Sequence, residues 1–296
     1  MLYSVTHTTL YQYSETVDLC HNIAILSPRD TPEQQCLSFN LNITPRPEII
    51  EEYEDFFGNK VCYFVVEQEH EALSVTATSV IEKNNNYINN TNPHSPAWET
   101  VRDLLHHSTG NYLYERQFTA PTPITKTFPE LKEFAQLSFT PNRSIFDAVY
   151  DLMQRIFGSF TFTPGFTTIS TPVSVVMKEK KGVCQDFAHL AIACLHAVGL
   201  PARYVSGYLE TIAPEGKEKL VGVDASHAWF AVFIPEMGWV DFDPTNNQIP
   251  NEQYITIGWG RDYFDIIPLK GVIMSGGAHK LKVAVDVRRI SDQPTT

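Results

Sequence analysis

Apolar and polar residues alternate through much of the first 83 positions. Leu37, Phe39, Leu41 and Ile43 are interleaved with Ser38, Asn40 and Asn42, and Leu73, Val75, Ala77 and Ile81 stand against Ser74, Thr76 and Thr78. A period of two places every second side chain on one face of a sheet, which is the signature of a half-buried strand. Tyr3 to Tyr13, rich in Val, Thr and Tyr, predicts a further strand. Gly58-Asn59 predicts a turn before the apolar run Val61 to Val66. These elements predict a small antiparallel β-sandwich over residues 1–90.

The polar, turn-rich stretch Asn84-Asn85-Asn86 through Asn92-Pro93 reads as a connection, after which the period lengthens. Trp98 to His107 and Phe128 to Leu137 are short helix candidates, the second with Pro129 at an early position. A stronger helix is expected from Ser144 to Phe157, with Ile145, Val149, Leu152 and Ile156 on one stripe, Ser144 as cap and Gly158 as terminator. Another begins near Cys184, whose face is shared by Phe187, Ala188, Ala191, Leu195 and Val198, and Gly199 with Pro201 stops it. Strands are predicted at 202–209, 226–234, 238–243, 254–257 and 280–287. The class is therefore α+β, with residues 91–296 forming a second unit that includes the C-terminal strands.

Composition narrows the possible partners. The hydrophobic content of 43% and charged content of 19% are those of a globular chain with a real core. A net charge of −12 argues against nucleic acid or an anionic membrane as the main partner. No apolar run approaches the ~18 residues of a membrane span, and the first residues carry no export signal. The five cysteines, at 20, 36, 62, 184 and 194, have no framework spacing, so reduced thiols and a cytoplasmic location are expected. No zinc knuckle, phosphate loop or calcium loop is present, and Cys184 and His189 point to different helix faces.

Three residues within a 60-residue span carry candidate chemistry: Cys184, His227 and Asp243. At the first turn of its helix, Cys184 lies where unpaired N–H groups and the positive dipole end favour a thiolate and can bind an oxyanion. Asp186 opposes that charge slightly, which calls for a cationic partner, and His227 is the candidate. A hairpin with loop Ile234-Pro235-Glu236 and Phe233 opposite Met237 sets His227 directly opposite Asp243, with Cβ atoms ~4.5–5.5 Å apart. The same register gathers Phe230, Val232, Ile234, Val240 and Phe242 on the opposite, apolar face. Asp241 shares the polar face and is the second candidate for orienting the histidine. Taken singly, a helical cysteine is usually core, a histidine at a strand start is usually structural, and Asp-Pro-Thr is usually a turn. Their order and context together favour a nucleophile, a base and an orienting acid. Cys194 reads as packing, and Trp229, Trp239, Trp259 and Tyr208 read equally as cleft lining or as core.

The motifs Gly182-Val183-Cys184-Gln185-Asp186-Phe187-Ala188-His189-Leu190, Gly199-Leu200-Pro201-Ala202-Arg203-Tyr204-Val205-Ser206-Gly207-Tyr208, Ser226-His227-Ala228-Trp229, Gly238-Trp239 and Asp243-Pro244-Thr245-Asn246 resemble the bacterial transglutaminase-like superfamily, a papain-related group of cysteine enzymes. Gly260-Arg261-Asp262-Tyr263 and Pro268-Leu269-Lys270-Gly271 also match. Tyr13-Ser14, Leu26-Ser27-Pro28-Arg29 and Phe57-Gly58-Asn59 resemble the β-rich N-terminal region that accompanies this core. The resemblance implies a papain-like core, catalytic Cys184, His227 and Asp243, no metal or organic cofactor, and a peptide or protein substrate. It implies a cysteine protease or amidase, although the superfamily also holds crosslinking transamidases and peptide N-glycanases. Arg261 and Asp262 stand near the site by resemblance or form an internal ion pair. A binding module that kept the fold is the reading from outside enzymology, and the intact Cys, His and Asp argue against it.

Overall fold

The structure, a computed structural model, describes residues 1–84, 95–108, 110–211, 225–274 and 277–290. The connection expected at 84–93 lies, from residue 85 onward, outside the described residues.

In chain order the elements are β1 (Leu2–Val17), β2 (Leu19–Ala24), β3 (Gln34–Thr44), β4 (Ile49–Glu54), β5 (Lys60–Val66) and β6 (His70–Lys83). Then come α1 (Trp98–His107), α2 (Leu113–Arg116), α3 (Pro129–Gln136), α4 (Ile145–Ser159), β7 (Thr161–Phe162), α5 (Val173–Glu179), β8 (Lys181–Gly182) and α6 (Cys184–Ala197). The last are β9 (Ala202–Leu209), β10 (Ala225–Ile234), β11 (Gly238–Phe242), β12 (Tyr254–Gly260), β13 (Leu269–Met274) and β14 (His279–Ile290). Among the described residues no helix is long and apolar enough to cross a membrane.

Two four-stranded antiparallel sheets, β14-β1-β6-β3 and β13-β2-β5-β4, form the N-terminal sandwich. Val17, Leu26, Ile43, Phe64, Val66, Leu73 and Val75 are buried together there. The C-terminal strands, which the sequence groups with the second unit, hydrogen-bond into these two sheets: Val5 pairs with Val287, and Ile23 with Lys270. Strand edges recruit partners by backbone hydrogen bonding, whatever their distance along the chain. Within β3 the pattern also breaks. A bulge between Cys36 and Ser38 flips the parity, so Leu37 is exposed while Phe39, Leu41 and Ile43 keep the inward side.

The third sheet, β11-β10-β9-β12, packs one face on α6. Side chains from β9, β10 and β11 (Ala202, Tyr204, Phe230, Val232 and Phe242) join α6, α3, α4 and α5 in one core. The expected stripe on α6 is too narrow a description. Leu190, Ile192, Ala193 and Cys194 are as buried as Ala188, Ala191 and Leu195, because sheet and helices enclose the helix on all sides. In α4, Ser144 Oγ caps the helix by accepting from the Asp147 N–H at 3.2 Å. That helix runs past Gly158 to Ser159, since a single glycine costs a helix only about 1 kcal/mol.

Candidate active site

Cys184 is the first residue of α6, half-buried at the point where the chain leaves β8. Helix geometry leaves the N–H groups of Cys184, Gln185 and Asp186 without an intrahelical carbonyl. The start of the helix is fixed by Asp186, whose Oδ2 accepts from the Val183 N–H at 2.8 Å and from Thr167 Oγ1 at 2.6 Å. Burial pushes the Asp186 carboxyl up, against the pull of these two donors. Gly182 is required by the same arrangement, because a Cβ there would lie 2.8 Å from Asp186 Cβ. Expected from the sequence only as a charge opposing the thiolate, Asp186 is thus a brace for the turn that presents it.

His227 stands near the start of β10, opposite Gly207 of β9. Gly207 lets backbone and ring approach closely: a Cβ would meet Ile255 O at 2.1 Å and the Trp229 ring at 2.6 Å. The imidazole is 7% exposed. Its Nε2 lies 2.7 Å from Asp243 Oδ2, and because a carboxylate only accepts, Nε2–H donates. That leaves Nδ1 for the Cys184 side. Burial opposes a charge on the ring. The hydrogen bond to Asp243, its charge and the neighbouring Cys184 outweigh it and raise the pKa from 6.5 to about 10.

Asp243 is fully buried and fully engaged. Oδ2 also accepts from Tyr254 Oη and Asn246 Nδ2, each at 2.7 Å, and Oδ1 accepts from the Thr245 N–H at 2.8 Å. Burial alone would raise this carboxyl, but His227, Tyr254 and Asn246 hold it below its usual value. Gln248 in turn donates to the Tyr254 hydroxyl.

The structure therefore brings Cys184, His227 and Asp243 together, although the hairpin differs from the expected register. Ile234 pairs with Gly238 and Ala231 with Asp241, so the loop is Pro235 to Met237. Both ends move by one residue, which changes the partners but preserves face parity: Phe230 now pairs with Phe242 and Val232 with Val240. Continuing that register makes Asp243 the diagonal neighbour of His227 rather than its opposite. Asp241 does not serve the imidazole. Its Oδ2 accepts from Trp229 Nε1 at 2.9 Å.

Other sequence candidates resolve into structural roles. His189 accepts from the Tyr263 N–H at 3.1 Å, and burial pushes its ring down to about 3. Arg261 pairs with Asp265 at 2.9 Å, while Asp262 caps a short turn by accepting from the Phe264 N–H. Cys194 is sealed in the core, and burial pushes its thiol up. Tyr208 is buried, with its hydroxyl 2.9 Å from His7 Nδ1. Sequence patterning gives no hint of Tyr254 as a partner of Asp243. Its contact spans 11 residues and links the ends of the two edge strands of the third sheet, and a tyrosine opening a strand carries no local sign of it. Among the described residues no three His, Cys, Asp or Glu side chains are grouped to hold a metal ion.

Comparison with known proteins agrees with this architecture. Residues 3–82 match the bacterial transglutaminase-like N-terminal region, and residues 133–244 match the transglutaminase-like superfamily core. An uncharacterized protein of Mycobacterium tuberculosis is 39% identical over 96% of this chain and 92% of its own length. A shorter match, 32% identical over 31% of this chain and 14% of the other, is to the protein-glutamine gamma-glutamyltransferase of Pseudomonas aeruginosa. In fold, the chain superposes on a crystal structure described as a "putative cysteine protease" from Cytophaga hutchinsonii. The TM-score is 0.74 at 22% identity, with 99% of this chain and 93% of that chain covered. With both regions matched in order and near-full-length relatives at this identity, the chain belongs to the transglutaminase-like superfamily, in the form that carries the bacterial N-terminal region.

Proposed function

We propose that the protein is a cysteine-dependent acyl-transfer enzyme that hydrolyses amide bonds in peptides or proteins. One arrangement carries the reading: a buried imidazole hydrogen-bonded to Asp243 lies beside a half-buried cysteine at a helix start, and both neighbours favour its protonated form. In the proposed reaction Cys184 Sγ attacks an acyl carbonyl, and the N–H groups at the start of α6 stabilise the oxyanion. His227 gives its proton to the departing amine as the C–N bond breaks, which leaves a thioester. Water, deprotonated by His227, then releases the acid and regenerates the thiol pair. Asp243 keeps Nε2 protonated, so that Nδ1 faces the sulfur throughout.

The five cysteines are unpaired, which supports a reducing compartment such as the cytoplasm. The match to a glutamine gamma-glutamyltransferase favours a second outcome for the same thioester, aminolysis by an amine in place of hydrolysis. Iodoacetamide at pH ~6 tests the nucleophile: Cys184 labels far faster than Cys194, and equal slow labelling of both refutes the enzyme reading. A glutamine-containing peptide offered with and without a fluorescent primary amine then separates the outcomes. Acid product alone supports hydrolysis, whereas incorporated amine supports transfer. Cys184→Ala abolishes whichever is found.

A further inference from the structure

The acyl-transfer reading leaves a buried arginine unused. Arg203, on β9, is 7% exposed, and its Nε has no hydrogen-bond partner among the described residues. It lies on the sheet face turned away from α6. Strand register sets Arg203 opposite Ala231 and Ala231 opposite Asp241, so the two charged residues flank one row across three strands. Two strand spacings put their Cα atoms about 9.6 Å apart. Ala231, small and fully buried, lets the arginine lie flat over the sheet. The guanidinium carbon sits 4.5 Å from the Trp239 ring centroid and 3.7 Å from that of Trp259, and Arg29 also stacks on Trp259 at 3.7 Å.

Ring faces attract a cation but offer no acceptor in line with its N–H groups. Arg203 and Asp241 make no direct ion pair among the described residues, although each feels the other's charge. Burial pushes the Arg203 guanidinium down to about 10 and the Asp241 carboxyl up, each partly offset by the other. Both face a cavity of about 650 Å³ between the N-terminal sandwich and this sheet, with Trp229, Trp239, Trp259 and Tyr254 in its walls. That volume is within the ~300–1,000 Å³ typical of ligand sites. The cavity is separate from the cysteine. Cys184, His227 and Asp243 are not among its lining residues, and the Trp229 and Tyr254 rings intervene, each 6.0 Å from the His227 ring.

We propose that this cavity binds a carboxylate borne on an apolar, amide-containing body. The carboxylate pairs with Arg203, an amide N–H donates to Asp241, and the apolar lining around Met237, Trp239 and Ile249 covers the remainder. This chemistry belongs equally to a small free acid and to the carboxyl terminus of a peptide. The proposal is independent of Cys184 being a nucleophile, so it is tested in the Cys184→Ala protein by calorimetry and tryptophan fluorescence. N-benzoylglycine is titrated against its uncharged counterpart N-benzoylglycinamide, and then against benzoyl di- and tripeptides with free carboxylates. Saturable binding of the acid and weak or no binding of the amide are expected. Tighter binding along the peptide series identifies a chain terminus as the source, and no gain identifies a small acid. Arg203→Gln weakens binding about tenfold or more, since a charged hydrogen-bond partner is lost. Asp241→Asn, which keeps an acceptor for Trp229, weakens it by a smaller factor and decides the matter if R203Q fails to fold. No saturation by about 10 mM, equal binding of acid and amide, or an unchanged Kd in a folded variant overturns the assignment. Iodoacetamide labelling of the native protein reports separately on the acyl-transfer reading.

Discussion

Replacing Asp243 by Asn removes one charge and almost no volume, so its cost is set by the groups packed around the carboxylate. The native Oδ2 accepts three donors, from His227, Tyr254 and Asn246, while Oδ1 accepts from backbone N–H groups at the turn. An asparagine can keep the backbone contacts through its carbonyl oxygen. Its amide then points two N–H groups at three donors. Raising the His227 ring from 6.5 to about 10 corresponds to about 5 kcal/mol of preference for the charged form, shared between Asp243 and Cys184. Loss of one partner of a buried pair costs about 3–5 kcal/mol, so about 3 kcal/mol is expected from this substitution. The sign with pH comes from the directions of the two shifts. A raised imidazole contributes stability that is fully present below 6.5 and is lost as pH climbs through about 10. The lowered Asp243 carboxyl contributes above 3.8, its ordinary value, and loses that contribution as pH falls through its depressed folded value. The gap between native and D243N proteins in urea unfolding is therefore widest between about pH 4 and 6.5 and narrows toward pH 10. NMR titration shows the His227 ring moving back toward 6.5, and Cys184 labelling at pH ~6 slows in parallel. An unchanged His227 titration in a folded variant, or a stability gap that does not depend on pH, refutes the argument.

Two further substitutions probe the supports. Gly182→Ala drives a methyl to 2.8 Å from Asp186 Cβ, so it is expected to destabilise by about 1–3 kcal/mol and to slow Cys184 labelling as the helix start shifts. Normal labelling at native stability counts against Asp186 as the brace. Tyr254→Phe removes one 2.7 Å donor from the Asp243 carboxylate, which is worth about 1.5–3 kcal/mol in a charge-assisted bond. Less help for the carboxylate raises Asp243 and weakens its hold on His227, so turnover is expected to fall and its alkaline limit to move to lower pH. A pH profile superimposable on the native one argues that Tyr254 only fills space.

The sequence determined what local physics can encode. Sequence patterning located β1, β3, β5, β6 and β14 of the sandwich but not β2, β4 or β13. The 3.6-residue stripe and the Ser144 cap located α4. A cysteine opening an apolar helix, a histidine entering a strand and an aspartate leaving the next one named the three residues that meet. Even the misplaced hairpin loop put Asp243 on the right face, because a shift of one residue at both ends preserves parity. The tertiary structure decided whatever depends on partners distant in sequence. Asp241 turned to the Trp229 indole, two residues from the imidazole it could have served, because face parity alone does not set side-chain direction. The C-terminal strands closed the N-terminal sheets, since an open strand edge binds any chain with matching backbone groups. Burial of α6 on every side, and the assembly of Tyr254, Asn246 and His227 around one carboxylate, came from long-range packing that no local pattern records.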